Sequence, residues 1–185
     1  MLAQPLLSLH NFTLEYKTRK GYVSAVDDVS FDLLPGQAMG LVGESGCGKT
    51  TIAMALLRLS PDNAVIRHGQ ILLDGQDLLT MSEPQMRDVR WARISMVFQA
   101  AMNALDPVYR VGDQIIEALD RHKPDLSLDQ KRTTVAELFK LVGLDANMIS
   151  RYPHEFSGGM RQRAVIAMAL ACNPSLIIAD EPTTA

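Results

Sequence analysis

The sequence predicts an α/β fold with a parallel sheet at its core, an antiparallel strand-rich start and a helical insert. Apolar and polar residues alternate through the first third of the chain, as they do in half-buried strands. Two short apolar runs, residues 38–42 and 176–179, are typical of strands that are buried on both faces. Between residues 100 and 172 the apolar residues recur at helical spacing instead.

Four further strands are predicted, at residues 7–16, 29–33, 71–73 and 94–98. The first of them has one slip in phase, which a β-bulge would produce. The second ends at the turn dipeptide Pro35-Gly36, and the third at Asp74-Gly75, a pair common in tight hairpin turns.

Helices are predicted at residues 52–59, at a segment containing Ile115 and Leu119, and at residues 160–172. Between the last two, Ser127 and Gln130 have the spacing of a capping box, in which each side chain accepts a hydrogen bond from the other residue's backbone N–H. The helix that follows has an apolar face at i, i+3, i+4 and i+7, formed by Val135, Leu138, Phe139 and Val142. Gly143 is its predicted end.

The overall composition describes an ordinary globular domain. The 185 residues are 47% hydrophobic and 21% charged, and the net charge of −3 argues against a nucleic-acid partner. No apolar run reaches the ~20 residues that a membrane-spanning helix needs, and we expect no secretory signal, because the N-terminal residues include neither a basic region nor a long apolar segment. Two cysteines form no disulfide framework, and four scattered histidines predict no structural metal site.

The run GESGCGKT, from Gly43 to Thr50, fits the pattern G-x-x-x-x-G-K-[ST] between a predicted strand and a predicted helix. Glycines let the backbone N–H groups close around phosphate at a helix N-terminus. Lys49 would then reach the β- and γ-phosphates, and the Thr50 hydroxyl would bind Mg²⁺. The alternative is an ordinary glycine turn, which the flanking strand and helix argue against.

The run LIIADE places Asp180 and Glu181 directly after a buried strand. Carboxylates belong at the open end of such a strand, where ligands bind in parallel sheets. Asp180 suits the Mg²⁺ shell, and Glu181 could accept the proton of a water that attacks the γ-phosphate. A solvated acidic loop is the alternative, and the glycine-rich loop upstream makes it less favoured.

Ser157, Gly158 and Gly159 precede the last predicted helix. A hydroxyl and two unobstructed N–H groups at a helix N-terminus can bind a second anion. Ser157 could equally be only the N-cap of that helix. The residues alone do not decide between these two interpretations.

Together with Gln99 at the end of the strand MVFQ, these motifs resemble the ATP-binding subunits of ABC transporters, which are RecA-like P-loop NTPases. The resemblance covers essentially the whole chain. The segments FQAAMNALDPVYRVGDQIIEAL, RYPHEFSGGMRQR and AMALACNPSLIIADEPTTA are similar to the oligopeptide, dipeptide and nickel importers of that family.

The resemblance implies an ATPase that binds ATP and Mg²⁺ in a head-to-tail dimer. Glu181 and Gln99 would be catalytic, and Ser157, Gly158 and Gly159 would contact the ATP of the partner subunit. Thr50, Gln99 and Asp180 would hold the metal. The chain's own ATP would be bound by Tyr16, Gly43, Glu44, Ser45, Gly46, Cys47, Gly48, Lys49, Thr50 and Thr51. Tyr16 would stack on adenine, although a lone tyrosine at a strand end can equally be packing.

The implied partners are a second ATP-binding subunit, two transmembrane permease subunits and, indirectly, a solute-binding protein. The apolar residues Met102, Leu105, Val108 and Tyr109 would meet a short helix of a permease, or else belong to the core. The implied location is peripheral, on the cytoplasmic face of the membrane. A non-transport ABC ATPase and an exporter ATPase are the alternative functions.

We expect one ABC-type ATP-binding domain over residues 1–185. Residues 1–99 and 173–185 would form its nucleotide-binding core, and residues 100–172 its helical subdomain with the signature motif. The family pattern continues with a further strand and a histidine that contacts the γ-phosphate, and neither follows Glu181 here. We therefore expect a C-terminally incomplete fragment, weakly active or inactive by itself.

Overall fold

The computed structural model describes residues 4–98 and 104–181. The chain forms two compact units, Met1–Arg87 and Asp88–Ala185, called here the first and the second unit. Within the described ranges, none of the helices combines the length and apolar character that crossing a bilayer requires.

The first unit contains a four-stranded antiparallel sheet in the order β2-β1-β3-β4. Its strands are β1 (Leu7–Thr18), β2 (Gly21–Leu33), β3 (Ala64–Leu73) and β4 (Gln76–Asp77). Helix α1 (Lys49–Leu56) lies between β2 and β3 in the chain, and α2 (Glu83–Val89) follows β4. The alternating pattern of the sequence therefore gives the antiparallel sheet that it predicted.

The predicted β-bulge of β1 is present. The pairing register of β1 and β2 shifts three times between Leu9 and Glu15. At this bulge the Asn11 side-chain N–H donates to an Asp28 carboxylate oxygen at 2.8 Å, and the Thr13 hydroxyl accepts from the Asp28 backbone N–H at 3.0 Å. The slip in phase keeps Phe12 and Leu14, both fully buried, on the core face.

The strand predicted at residues 38–42 is wrong. No helix or strand is assigned to residues 34–48, and in the described chain no strand pairs with this run. Val42 is 96% exposed, and Met39 and Leu41 are each 44% exposed. An apolar run forms a strand only where a neighbouring strand completes its backbone hydrogen bonds, and hydrophobicity alone does not reveal that neighbour.

The second unit combines a parallel strand pair with three helices. Strand β5 (Ile94–Val97) lies beside β6 (Leu176–Ala179), with Ile94 opposite Leu176 and Val97 opposite Ala179. The helices are α3 (Val111–His122), α4 (Leu128–Leu141) and α5 (Gly158–Leu170). Two short 3₁₀ helices, Ala146–Ser150 and Pro153–Glu155, connect α4 to α5.

The helices share one hydrophobic core, in which the rings of Phe139 and Phe156 meet edge to face at 6.5 Å. The predicted capping box is confirmed, because the Ser127 hydroxyl accepts from the Gln130 N–H at 3.3 Å and the Gln130 side chain accepts from the Ser127 N–H at 2.8 Å. Beyond α4, Gly143 has a φ of +72°, and its carbonyl accepts from the Arg163 guanidinium at 3.2 Å.

The start of α3 touches the segment after α4 at a close backbone approach. A Cβ on Gly112 would lie 2.3 Å from the Ile149 Cγ2 atom and 2.7 Å from the Ile149 carbonyl oxygen. Beside this approach, the Val111 N–H, one residue before Gly112, donates at 2.9 Å to the carbonyl of Arg151, two residues after Ile149. Only glycine fits at this position without moving one of the two segments.

Gly112→Ala should therefore lower the free energy of unfolding by about 1–3 kcal/mol, the usual cost of overpacking a core contact. Urea-induced unfolding of the full-length protein measures this change. Glu117→Ala, at an exposed position of the same helix, is the control and should change the value by less than about 0.5 kcal/mol. Equal stabilities of the two variants would contradict the close approach.

Candidate functional site

The glycine-rich loop of the first unit ends in a left-handed residue that only glycine accommodates. Gly48 has a φ of +97° and is the N-cap of α1. A Cβ on Gly48 would lie 2.4 Å from the Ala25 carbonyl oxygen of β2. The loop is thus fixed against β2, and the first turn of α1, which contains no acidic residue, begins directly after it.

Lys49 lies across this loop. Its Nζ atom donates to the carbonyl oxygens of Gly43 at 2.7 Å and Glu44 at 2.8 Å, and it lies 3.5 Å from the Cys47 Sγ atom. The ammonium group is therefore held at the loop, beside the N-terminus of α1. A fixed cation and a helix N-terminus together favour an anion such as a phosphate group.

Tyr16 of β1 contacts the same helix. Its hydroxyl donates to the Thr51 hydroxyl at 3.2 Å, and the pair is partly buried. On the sheet, Tyr16 lies opposite Val23 of β2 and Ala64 of β3. The structure thus brings Tyr16 to the first turn of α1, directly after the glycine-rich loop, and its stacking on a base stays a prediction.

The two adjacent carboxylates lie at the carboxyl end of the parallel strands. The Asp180 N–H donates to the Val97 carbonyl at 3.0 Å, so Asp180 continues the pairing of β6 with β5. Glu181 follows with a φ of +47° and an exposed side chain. A non-glycine residue in this conformation costs roughly 1–3 kcal/mol, and such residues cluster at active sites.

Gln99, which the sequence also implies as a Mg²⁺ ligand, lies outside the described residues. Within residues 4–98 and 104–181, no three residues drawn from histidine, cysteine, aspartate and glutamate are grouped to hold a metal ion. Mg²⁺ takes one or two protein carboxylates and otherwise hydroxyl, water and phosphate oxygens. The hydroxyl of Thr50 and the carboxylate of Asp180 are oxygen donors of the type that Mg²⁺ prefers.

Ser157 is the N-cap of α5, where its hydroxyl accepts from the Met160 N–H at 3.3 Å. No described atom outside the local chain lies within 4 Å of a Cβ built on Gly158 or Gly159. The capping interpretation therefore holds. The open surface of the two glycines is compatible with an anion at this helix N-terminus as well, which stays a prediction.

A family model described as "ABC transporter" matches residues 26–184. The chain belongs to the ABC transporter family. The family predicted from the motifs is thereby confirmed.

Curated ABC relatives include a dipeptide transport ATP-binding protein, DppD of Bacillus subtilis, 47% identical over 98% of this chain and 55% of that protein. The oligopeptide transport ATP-binding protein OppD of the same organism is 44% identical over 97% of this chain and 51% of its own length. A probable D,D-dipeptide transport ATP-binding protein of Escherichia coli, DdpD, is 44% identical over the full chain and 57% of its length. The chain spans about half the length of these relatives.

Two solved structures of the ATP-binding cassette MJ0796, both dimeric and one bound to ADP and Pi, are similar to this ABC chain. Each superposes with a TM-score of 0.84 at 28% identity, covering 96% of this chain and 74% of the solved one. The α/β fold class predicted from the sequence is confirmed.

A segment before α3 presents two apolar side chains of the ABC chain to solvent. Val108 is 70% exposed and Tyr109 60% exposed, whereas Leu105 is buried. The Gln114 side chain holds this loop, because its oxygen accepts from the Asp106 N–H at 2.9 Å and its nitrogen donates to the carbonyls of Asp106 and Tyr109. Of the predicted permease contacts, Leu105 thus belongs to the core, and Met102 lies outside the described residues.

Glu155, an acidic residue near Ser157, lies outside the motifs that the sequence predicts. Glu155 accepts from the Tyr152 N–H at 2.7 Å and from the Arg151 guanidinium at 2.7 Å. The backbone hydrogen bond from Tyr152 is the main cause that holds the pKa of Glu155 below its ordinary value, with Arg151 adding to it. A proline followed two residues later by glutamate, as in Pro153 and Glu155, was the available signal of a short helical turn.

Proposed function

We propose that the chain is the ATP-binding part of an importer subunit that couples MgATP hydrolysis to the entry of peptides or nickel. The observation that carries this proposal is the position of Lys49, held over a glycine-rich loop at a helix N-terminus. That arrangement suits the β- and γ-phosphates of a nucleotide. The relatives named as dipeptide and oligopeptide transport ATP-binding proteins support the transported class.

In the proposed reaction a water molecule attacks the γ-phosphorus of ATP, and the bond between that phosphorus and the β,γ-bridging oxygen breaks. Glu181 accepts the proton of the attacking water, and ADP and phosphate are the products. Lys49 and the loop N–H groups offset the negative charge of the phosphates. Thr50, Asp180 and Gln99 would hold Mg²⁺, which supplies further charge neutralisation at the phosphate oxygens.

The proposed active form is a head-to-tail dimer of two ATP-binding subunits. Ser157, Gly158 and Gly159 of one subunit would contact the γ-phosphate bound to the loop of the other. The open space beside Gly158 and Gly159 at the start of α5, where Gly159 is exposed and Gly158 half-buried, supports this assignment. The dimers formed by the cassette MJ0796 are consistent with it.

Two permease subunits are the proposed membrane partners, with a solute-binding protein acting through them. The exposed pair Val108 and Tyr109, on a loop held by Gln114, is the proposed contact with a permease. The subunit would then lie peripherally on the cytoplasmic face of the membrane. In this proposal residues 100–172 form the helical subdomain, and residues 1–99 and 173–185 form the nucleotide-binding core.

The double variant Val108→Asp, Tyr109→Ala should separate the full-length subunit from its permeases while ATP binding persists. We expect loss of co-purification with the permease subunits and loss of labelled dipeptide or nickel uptake in cells that carry the variant. Leu141→Asp, which changes an exposed apolar residue of α4, is the matched control and should keep both. Unchanged uptake of both solutes when the gene is removed would overturn the importer assignment.

A further inference from the structure

Residues 149–157, called here the connecting segment, contact the start of α3 and then lead into the start of α5. At its first end Ile149 touches Gly112, and the Arg151 carbonyl accepts from the Val111 N–H. At its second end Phe156 is 3% exposed and packs against the ring of Phe139, directly before the exposed Ser157. Half-buried Ile149 therefore packs against the core of the second unit at the first end, and Phe156 lies in that core at the second.

Glu155 closes the turn between these two ends. One of its carboxylate oxygens accepts from the Tyr152 N–H and the other from the Arg151 guanidinium, each at 2.7 Å. Two backbone bonds complete the turn, from the Glu155 N–H to the Tyr152 carbonyl at 2.9 Å and from the Phe156 N–H to the Pro153 carbonyl at 3.2 Å. The direction in which the chain reaches Ser157 therefore depends on this side chain.

We propose that Glu155 is a positioning residue for Ser157, Gly158 and Gly159. The hydrogen bond that its carboxylate accepts from the Tyr152 N–H fixes where these three residues lie relative to the partner subunit's ATP. The inference rests on the proposed function. Glu155 touches neither nucleotide nor water in this role and acts through the backbone. Because reacting groups displaced by about 1 Å can lose about a hundredfold in rate, a looser turn should lower turnover.

The two contacts of Glu155 should contribute unequally to the stability of the turn. The pair with Arg151 is solvent-exposed, with 58% of the arginine side chain accessible, and exposed ion pairs contribute little. The hydrogen bond to the Tyr152 N–H satisfies a backbone donor at a helix N-terminus, where loss of the acceptor has a clear effect. The kcat of ATP hydrolysis should therefore depend on the length of the residue 155 side chain more than on its charge.

Four variants of the full-length protein separate the two contacts. Glu155→Gln keeps the length and the acceptor and loses the charge, whereas Glu155→Asp keeps the charge and loses the length. Arg151→Ala removes only the ion pair. Glu137→Ala, at an exposed position of α4, is the matched control.

The measurements are the kcat of ATP hydrolysis, the Kd of ATP under non-hydrolysing conditions and the thermal unfolding midpoint of each variant. We expect Glu155→Asp to lower kcat by about tenfold to a hundredfold with an unchanged Kd. Glu155→Gln, Arg151→Ala and the control should stay near the parent kcat. A merely structural role would instead lower thermal stability and leave the kcat of the folded protein unchanged.

Parent-level kcat in Glu155→Asp would overturn the positioning role, as would a loss of kcat in Glu155→Gln that Glu155→Asp does not share. Neither result would affect the proposed function, because the parent protein would still hydrolyse ATP. Absence of ATP turnover in the unaltered full-length protein would overturn the proposed function and this role with it.

Discussion

Glu181→Gln in the proposed dimer of the full-length protein is expected to abolish ATP turnover while ATP binding persists. Glutamine cannot accept the proton of the attacking water, and a positioned general base contributes about a hundredfold to ten-thousandfold in rate. The glycine-rich loop of the first unit, the proposed phosphate site, is untouched by this change, so the ATP-bound form should accumulate. Single-turnover kinetics with labelled ATP, together with size-exclusion chromatography for the dimer, measure both effects.

The control for this experiment is Glu137→Gln, the same substitution at an exposed position of α4. It should turn over ATP at the parent rate. Turnover near the parent level in Glu181→Gln would show that another group accepts the proton. Loss of ATP binding in that variant would instead assign Glu181 to the binding of nucleotide.

Lys49→Ala is expected to weaken nucleotide binding itself. The ammonium group that now donates to the carbonyls of Gly43 and Glu44 would donate to phosphate oxygens in the complex. A hydrogen bond to a charged group contributes roughly 1.5–3 kcal/mol, so the Kd of ATP should rise about tenfold to a hundredfold or more. Isothermal titration of the full-length variant with ATP measures this change.

Lys140→Ala removes the same charge from an exposed position of α4 and serves as the comparison. Its ATP affinity should equal that of the parent protein. If Lys49→Ala bound ATP as tightly as Lys140→Ala, the loop would not be the phosphate site, and the proposed function would lose its main support.

Features set by neighbours in the chain were predictable from the sequence. The capping box of α4 needs only Ser127 and Gln130, which are three residues apart, and the turn after β3 needs only Asp74 and Gly75, both with positive φ. The bulge of β1 left a visible slip in the apolar alternation. In each case the physical cause lies within a few residues.

Features set by distant partners were not predictable in the same way. The indole N–H of Trp91 donates to the Met168 carbonyl at 2.8 Å, across 77 residues of chain, and no local sequence pattern predicts this contact. The run at residues 38–42 has strand-like composition, yet no described strand pairs with it. A strand forms only where the fold brings a partner strand beside it. That partner comes from elsewhere in the chain, so a short window of sequence does not reveal it.

The candidate site residues likewise fall into those that contiguous sequence predicts and those that depend on distant contacts. The glycine-rich loop, the Asp180-Glu181 pair and the Ser157 cap are contiguous runs, so the sequence located each of them. The contact of Tyr16 with Thr51 spans 35 residues and became visible only in the structure. Glu155 belongs to no contiguous motif, and its carboxylate accepts from the Tyr152 backbone N–H and the Arg151 guanidinium.

The exposed Cys47 thiol has a practical consequence for following the protein in solution. The other cysteine of this chain, Cys172, is buried, and burial raises the pKa of its thiol. Because thiolates are the species that react with maleimides, a dye added in equimolar amount should attach within this part of the protein at Cys47 alone. A natural side chain would then carry an optical label at the glycine-rich loop, without any engineered residue.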